Sequence, residues 1–382
     1  MKIALCGPFD TREFGRLTGI DLGGAPVGQG GMPVTTLAAG LLRNGHQVAV
    51  VTCDAAVIHP TTIFRGLFSV TYCPLRAGPR YPARIRIFDL FANEIHHLES
   101  AIRCFRPDVV HAHWTYEYAE AAVRSRYPHL VTMHDLGWEY LWQLRDAYRF
   151  ARLVMKYRTM PRVRNLTVVS PYLARKAWQY GYFGHVWVVP NGVEMSAPVS
   201  PKKKDYSRPI LVTVGNRQRI KNVYKSVEAF RFVQDEIPDV ELHLFGPGLD
   251  EISLGDAPGI IGHGDVPHHE LMAFLADRAT ILVHPSRLET FGMIIAEAKS
   301  VSVPVVAGRN SGGVAFVCDD GVSILVDVEQ AQEIAQGVLS LLTDKKHYER
   351  AAKESQSDVE QRFSSSIVTA QYEAIYREII AG

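Results

Sequence analysis

Two carboxylates, Glu289 and Glu297, bracket a Phe-Gly pair in the stretch HPSRLETFGMIIAEA (284–298), with seven residues between them. After Phe291 and Gly292, the residues Ile294, Ile295 and Ala298 fall at helical spacing, so Gly292 and Met293 mark a helix N-terminus. Unpaired backbone N–H groups and the helix dipole make such a place attractive to an anion, a phosphate above all. Glu289 precedes the helix and can reach past that anion. Glu297 lies one turn beyond Met293 and approaches from the other side. A phosphate between two carboxylates is repelled by both, so the acids must accept hydrogen bonds from hydroxyls at its two ends. A sugar nucleotide has that layout: sugar, pyrophosphate, ribose.

Other residues fit the same chemistry. Arg217 and Lys221 follow the strand in VTVGNRQRIKNVYKS (212–226) and place two cations where a leaving pyrophosphate needs neutralising. Gly30 and Gly31 precede a helix, and without Cβ atoms their backbone can approach a phosphate closely. The segment does not complete a G-x-G-x-x-G pattern, because Pro33 takes its last place, which weakens a nicotinamide-enzyme reading. His134 ends the strand HLVTMH, with Asp135 beside it as a capping or orienting group. His111 and His113 share one face of the strand DVVHAH, a spacing that suits a metal, but no third ligand accompanies them. Between 145 and 164, Arg145, Arg149, Arg152, Lys156, Arg158, Arg162 and Arg164 stand against one acid, Asp146. That is either the solvated face of a helix packed on a sheet or a basic amphipathic helix for anionic lipid.

The elements that must hold these residues follow from periodicity. KIALCG, QVAVVT (47–52), DVVHAH (108–113), HLVTMH (129–134), NLTVVS (165–170) and HVWVVP (185–190) read as buried strands. Helical patterns alternate with them; GMPVTTLAAGLLRNG has apolar residues at three and four spacing until Gly45. MSAPVSPKKKDYSRP (195–209) has no apolar period and reads as a linker. The alternation then restarts with PILVTVG (209–215), VELHLFG (240–246), TILVHP (280–285) and VPVVAG (303–308), and the chain closes on an amphipathic helix, SIVTAQYEAIYREII. Alternating strand and helix predicts parallel sheets with crossover helices, in two doubly wound α/β domains. The 382 residues, 47% apolar and 21% charged, supply two cores, and a net charge of +1 gives no pull toward nucleic acid. Five scattered cysteines without a C-x-x-C predict reduced thiols in a cytoplasmic protein. The start MKIALCGPFD reads as a first strand rather than a signal peptide.

HPSRLETFGMIIAEA resembles the E-x7-E segment of the retaining GT-B glycosyltransferases of family 4 (glycosyl transferases group 1). TMHD (132–135), VVSPYL (168–173), VPNGVE (189–194) and the Gly-Gly of GQGGMPVTTLAAGL (28–41) stand where that family has similar segments. The resemblance implies two facing Rossmann-like domains with a cleft between them: 1–194 for the acceptor, 210–360 for the donor after the 195–209 linker, and a helix at 361–382 crossing back to domain one. It implies Glu289 at the donor sugar, Glu297 on the ribose hydroxyls, His134 beside the sugar, and Gly30, Gly31, Arg217, Lys221, Phe291, Gly292 and Met293 around the donor. Asn216 occupies the family's usual Arg place and Arg217 comes next; Phe316 stands where family members often have an acid after Gly312-Gly313. The implied reaction moves a sugar from a nucleotide-sugar donor, a UDP-sugar first and GDP-mannose second, to a carbohydrate or lipid-linked acceptor, with no cofactor or metal. The place implied is the cytoplasm, with peripheral contact through 145–164 on the inner membrane face. The rival readings are a sugar-nucleotide epimerase of the same architecture and a non-catalytic sugar-nucleotide-binding protein.

Overall fold

The computed structural model describes residues 1–28, 30–77, 85–195, 208–251 and 258–382. The chain divides into two compact units, Met1–Gly192 with Ser365–Gly382, and Val193–Ser364.

In the first unit the apolar runs become β1 (Lys2–Cys6), β2 (Gln47–Asp54), β5 (Val109–His113), β6 (His129–Met133) and β7 (Leu166–Val168), joined by β3 (Thr61–Arg65), β4 (Phe68–Pro74) and β8 (Val186–Val188). They form one sheet in the order β3-β4-β2-β1-β5-β6-β7-β8, parallel except for β3. β1, β5 and β6 are buried along almost their whole length, as the middle strands of a parallel sheet covered on both faces must be. Ile3 pairs with Val48 on one side and Val109 on the other. Two strand expectations need correction. HVWVVP is not a buried strand: β8 is three residues long, lies at the sheet edge and is half-exposed. The hairpin of β3 and β4 was not among the expected strands, because TTIFR has no apolar alternation and takes its conformation from pairing with β4.

The helix Ser365–Ala381 belongs to this first unit. Val368, Tyr372, Ile375 and Tyr376 enter the core beneath β1 and β5 together with Val34, Leu37 and Leu41 of the helix Met32–Arg43. Each fully buried aliphatic side chain of this kind contributes ~1.5–3 kcal/mol. The two helices approach closely at Gly40, where a Cβ would lie 2.3 Å from Thr369 Oγ1.

The basic stretch 145–164 is not one helix. It is the end of a helix Gly137–Leu144, a break at Arg145 and Asp146, a helix Ala147–Thr159 and a short 3-10 turn. Arg145 adopts φ +46°, and Asp146 caps the next helix by accepting from Arg149 N. Its cations are largely matched within the unit: Arg149 with Asp146, Arg152 with Glu117, buried Lys156 with Asp135, and Arg162 with Glu120. The charge counted for anionic lipid is therefore mostly neutralised by the protein itself.

In the second unit β9 (Ile210–Val214), β10 (Glu241–Phe245), β11 (Ile260–Gly264), β12 (Ile281–His284), β13 (Val305–Gly308) and β14 (Ile324–Val326) make a parallel sheet in the order β11-β10-β9-β12-β13-β14. In chain order within the unit this is 3-2-1-4-5-6, the doubly wound dinucleotide-binding order, whose strand order reverses between β9 and β12. Ligands in such sheets bind beyond the carboxyl ends of the strands at that reversal. Val193 and Ser364, the first and last residues of the unit, pair as a parallel bridge. Of the linker expected at 195–209, residues 196–207 lie outside the described residues.

Candidate functional site

The two strands at the reversal carry the chemistry. β9 leads into the loop with Arg217 and Lys221; β12 ends at His284 and leads through Glu289 to the helix Met293–Ser300. This acid loop is fastened on both sides. On one, buried Ser286 donates from Oγ to the Ile220 carbonyl at 3.1 Å, and the Arg287 N–H donates to the same carbonyl at 2.8 Å. On the other, the Glu289 N–H donates to Ser311 O at 3.1 Å and the Gly313 N–H to Glu289 O at 2.7 Å. A Cβ on Gly313 would sit 2.1 Å from Thr290 O, so only glycine permits this contact. Gly292 then opens the helix at φ +98°, with its carbonyl accepting from Ile295 and Ala296. The amides of Met293 and Ile294 have no carbonyl to donate to within the helix.

Glu289 is buried and its Oε1 has two partners, Lys221 Nζ at 2.6 Å and His284 Nε2 at 3.2 Å. Burial alone would push this carboxyl up; the His284 hydrogen bond and the Lys221 ammonium outweigh it and hold the group down at about 2. An ionised carboxylate only accepts, so His284 must carry its proton on Nε2. Both contacts fall on Oε1, and Oε2 is left over. Lys221, expected on a phosphate, is thus also the counter-ion of Glu289; it stays about one-third exposed and within reach of a ligand. Arg217 is fixed to the loop after β10, with Nε donating to Gly248 O at 2.6 Å. Asn216 is a turn residue whose Oδ1 accepts from Gln218 N. Glu297 is buried on the helix and its Oε1 meets His268 Nε2 at 3.0 Å. Phe291 packs edge-on against Phe363, and Phe316, where an acid is usual, joins the same aromatic cluster. Phe291 therefore supports the loop from within the core.

In the first unit, Gly31 is the N-cap of the helix Met32–Arg43 at φ +97°, and a Cβ there would lie 2.0 Å from Pro8 O. Gly30, at φ +75°, has open space around its Cα. Packing therefore demands glycine at 31, whereas only backbone conformation favours it at 30. His134 lies just beyond β6, buried, with Nε2 2.8 Å from His113 Nδ1. Trp114, held at φ +67°, packs against its ring at 4.6 Å. Burial pushes the His134 imidazole down to about 4 against the pull of Asp135, so the ring is uncharged at neutral pH. Asp135 accepts from Tyr116 Oη at 2.6 Å and from Lys156 Nζ, which makes it an orienting group. His111 spends both ring nitrogens on Tyr376 Oη and Thr132 Oγ1, so it is not free to ligate a metal.

The structure thus brings Lys221, Glu289, Gly292 and Met293 together around one loop, with Arg217 and Glu297 on neighbouring elements of the same unit, and places His134, Gly30 and Gly31 in the other unit. Sequence reasoning missed His284 and His268, and weighed His113 only as a metal ligand, not as the partner of His134. His284 and His113 end parallel strands as His134 nearly does, and the strand-end rule applied to His134 would have found both. His268 gave no such signal.

Two family models match most of the chain between them: "Glycosyltransferase Family 4" over residues 31–197 and "Glycosyl transferases group 1" over 199–358. N-acetyl-alpha-D-glucosaminyl L-malate synthase of Bacillus anthracis is 26% identical over 192 residues, 47% of this chain, and the match spans about half, 49%, of that relative. Sucrose-phosphate synthase from Thermosynechococcus elongatus has a similar solved structure, with TM-score 0.77, 21% identity and 99% of both chains covered. Anabaena HepE, solved in complex with UDP and glucose, is similar at TM-score 0.69 and 18% identity, over 98% of this chain and 99% of its own. The chain has the GT-B fold and belongs to the family 4 glycosyltransferases, the glycosyl transferases of group 1.

Proposed function

We propose that this chain transfers a sugar from a nucleotide-sugar donor to an acceptor hydroxyl with retention at the anomeric carbon. The observation that carries the reading is the Glu289–Lys221 pair, set on the loops of the two strands at the sheet reversal beside a helix that opens on Gly292. As the anomeric C–O bond breaks, its electron pair leaves on the diphosphate. Lys221, Arg217 and the amides at Met293 are the groups to meet that charge. Glu289, ionised at any physiological pH, favours the positive charge that grows on the sugar ring. Its spare Oε2 is the atom to do so. Glu297 accepts from the ribose hydroxyls. Attack comes from the face the diphosphate leaves, with the acceptor proton passing to the departing phosphate oxygen. His134, uncharged, serves as a hydrogen-bonding group to the sugar, and Gly30 gives a phosphate close access to backbone.

A UDP-sugar is the first choice of donor, supported by the fold shared with a protein solved with UDP and glucose; GDP-mannose is the second. The acceptor is a carbohydrate or a lipid-linked one. Among the described residues no helix is long and apolar enough to cross a membrane. If the acceptor is lipid-linked, the exposed rings of Trp138, Trp142 and Phe150, rather than the paired cations, are the groups to meet a bilayer; failure to sediment with anionic vesicles at low salt would remove that contact.

Thermal shift tests the reading directly. UDP or GDP at about 100 Kd should stabilise the folded chain by ~2.7 kcal/mol. No shift with either diphosphate or its sugars would sink it. Incubation of the donor alone separates transfer from epimerisation, since an epimerase consumes donor with no acceptor present.

A further inference from the structure

His113 and His134 share one hydrogen bond, and one of the two rings must give the proton. Their nitrogens Nδ1 and Nε2 lie 2.8 Å apart in a fully buried setting. The other nitrogen of His113, Nε2, is buried and has no protein partner. Thr369 Oγ1, on the helix Ser365–Ala381, is also buried without a partner. Both residues line one small cavity in the first unit, closed by Thr36, Leu37, Asn191 and Val368. Measured to the centre of a water molecule it has a volume of about 10 Å³, room for one water. Two orphaned polar atoms on one water-sized cavity are what a buried water satisfies.

We propose that His113 is a positioning residue that holds His134 as its Nδ1–H tautomer, and that a water bound between His113 Nε2 and Thr369 Oγ1 fixes His113 in turn. The water donates to Nε2 and leaves it without a proton. The proton of the His113 ring then sits on Nδ1 and is donated to His134 Nε2. His134 must therefore carry its own proton on Nδ1, and the edge it turns away from His113 is a donor. The opposite arrangement puts an N–H at His113 Nε2, where no acceptor of the protein meets it. A buried N–H without an acceptor is less tolerated than an unshared lone pair. The floor under the pair is fixed: His111, whose ring lies 4.2 Å from that of His113, is bonded to Tyr376 Oη and Thr132 Oγ1, and Thr132 to Thr167. The helix Ser365–Ala381 thus reaches the candidate site twice, through Tyr376 and through Thr369. The importance of this for turnover rests on the role given above to His134; the tautomer does not.

The experiment is long-range proton–nitrogen correlation NMR on the whole chain with 15N-labelled histidine, His113 and His134 being assigned through single variants. Both rings should show a protonated Nδ1 and a bare Nε2. Thr369→Val removes the second partner of the water, and both rings should then become mixtures of tautomers. A His134 protonated on Nε2, or tautomers unmoved by Thr369→Val, would overturn the proposal whether or not the chain turns over any nucleotide sugar. Kinetics give a second readout. Asparagine keeps an N–H where Nδ1 stood, so His113→Asn should keep kcat within about fivefold, whereas His113→Leu should lose about 10²-fold in kcat with donor KM little changed. Equal losses in the two variants would mean that His113 only fills space.

Discussion

Acid should cost the first unit of this protein more stability than the second, where burial lowers His243 and His263 as well. His111, His113 and His134 are buried, and burial pushes each imidazole below its ordinary value of 6.5, His134 to about 4 and the other two well below 6.5. His129 is lowered for the same reason. For a histidine whose folded pKa is depressed, the unfolded chain takes up a proton between the two values and the folded chain does not. Stability is then complete above about pH 6.5 and is lost as pH falls toward the folded pKa. At pH 5 the solution is ~1.5 pH units below the unfolded value, and His134, uncharged in the folded chain until about pH 4, then costs ~2 kcal/mol at 1.36 kcal/mol per unit. His111 and His113, lowered by the same burial, act in the same direction, against the ~5–15 kcal/mol that holds a whole domain. All five tryptophans, Trp114, Trp138, Trp142, Trp178 and Trp187, lie in this unit, so tryptophan fluorescence reports on it alone. Urea midpoints followed by that signal should fall between pH 6.5 and 5, by more than the ~1.4 kcal/mol per pH unit that a single proton supplies. His113→Asn should reduce the slope by about one proton, ~1.4 kcal/mol per pH unit. A change below ~2 kcal/mol between pH 7 and 5, or a slope that survives in His113→Asn, would refute the account of three uncharged buried rings.

Lys221→Met removes a cation assigned to the diphosphate and the counter-ion of Glu289; UDP affinity by calorimetry should fall at least about tenfold and kcat/KM by roughly 10²-fold. Unchanged diphosphate affinity would take Lys221 out of the donor site. Glu289→Gln and Glu297→Ala should fail differently. The first should lose kcat by about 10²-fold or more with little change in UDP affinity; the second should raise donor KM and weaken UDP alone. The reverse pattern would exchange or abolish the roles. Gly313→Ala puts a Cβ against Thr290 O and should displace the acid loop, lowering kcat while the melting temperature falls by only a few degrees; a fully active variant would show that the loop clamp is dispensable.

Much of this fold could be read from the chain because its middle strands are buried on both faces. Runs such as KIALC and ILVTV have one plausible fate in an α/β chain, and the acid segment announced its helix through Gly292 and the spacing of Ile294, Ile295 and Ala298. What escaped depended on partners distant in sequence. β3 is a strand because β4 pairs with it. The basic stretch looked like one helix because nothing in its apolar period reveals that Arg145 takes a left-handed conformation and Asp146 starts a new cap. Its cations looked free because Glu117, Glu120 and Asp135, which pair with them, lie 21 to 42 residues away. The same holds at the candidate site, where His284 was visible as a strand end but its bond to Glu289 was not.

Lys221 shows why such pairings matter to mechanism. By residue type and position it belongs to a phosphate, and Glu289 to a sugar; in the structure they hold each other at 2.6 Å. A lone ionised carboxylate as buried as Glu289 would be costly, and without its partners burial would push its proton affinity up. His284 and the lysine together therefore keep the acid ionised. In the proposed reaction a bound diphosphate would give the same ammonium a second anion to serve, and its hold on Glu289 would weaken. His284, already the stronger of the two influences, would then be left as the partner of Glu289, since it approaches the same Oε1 from the strand. On the proposed function, the charge available to the sugar would in this way be linked to occupancy of the phosphate position. That linkage is a property of three side chains from two loops and one strand end, and it arises only because β9 and β12 lie side by side where the sheet reverses its order.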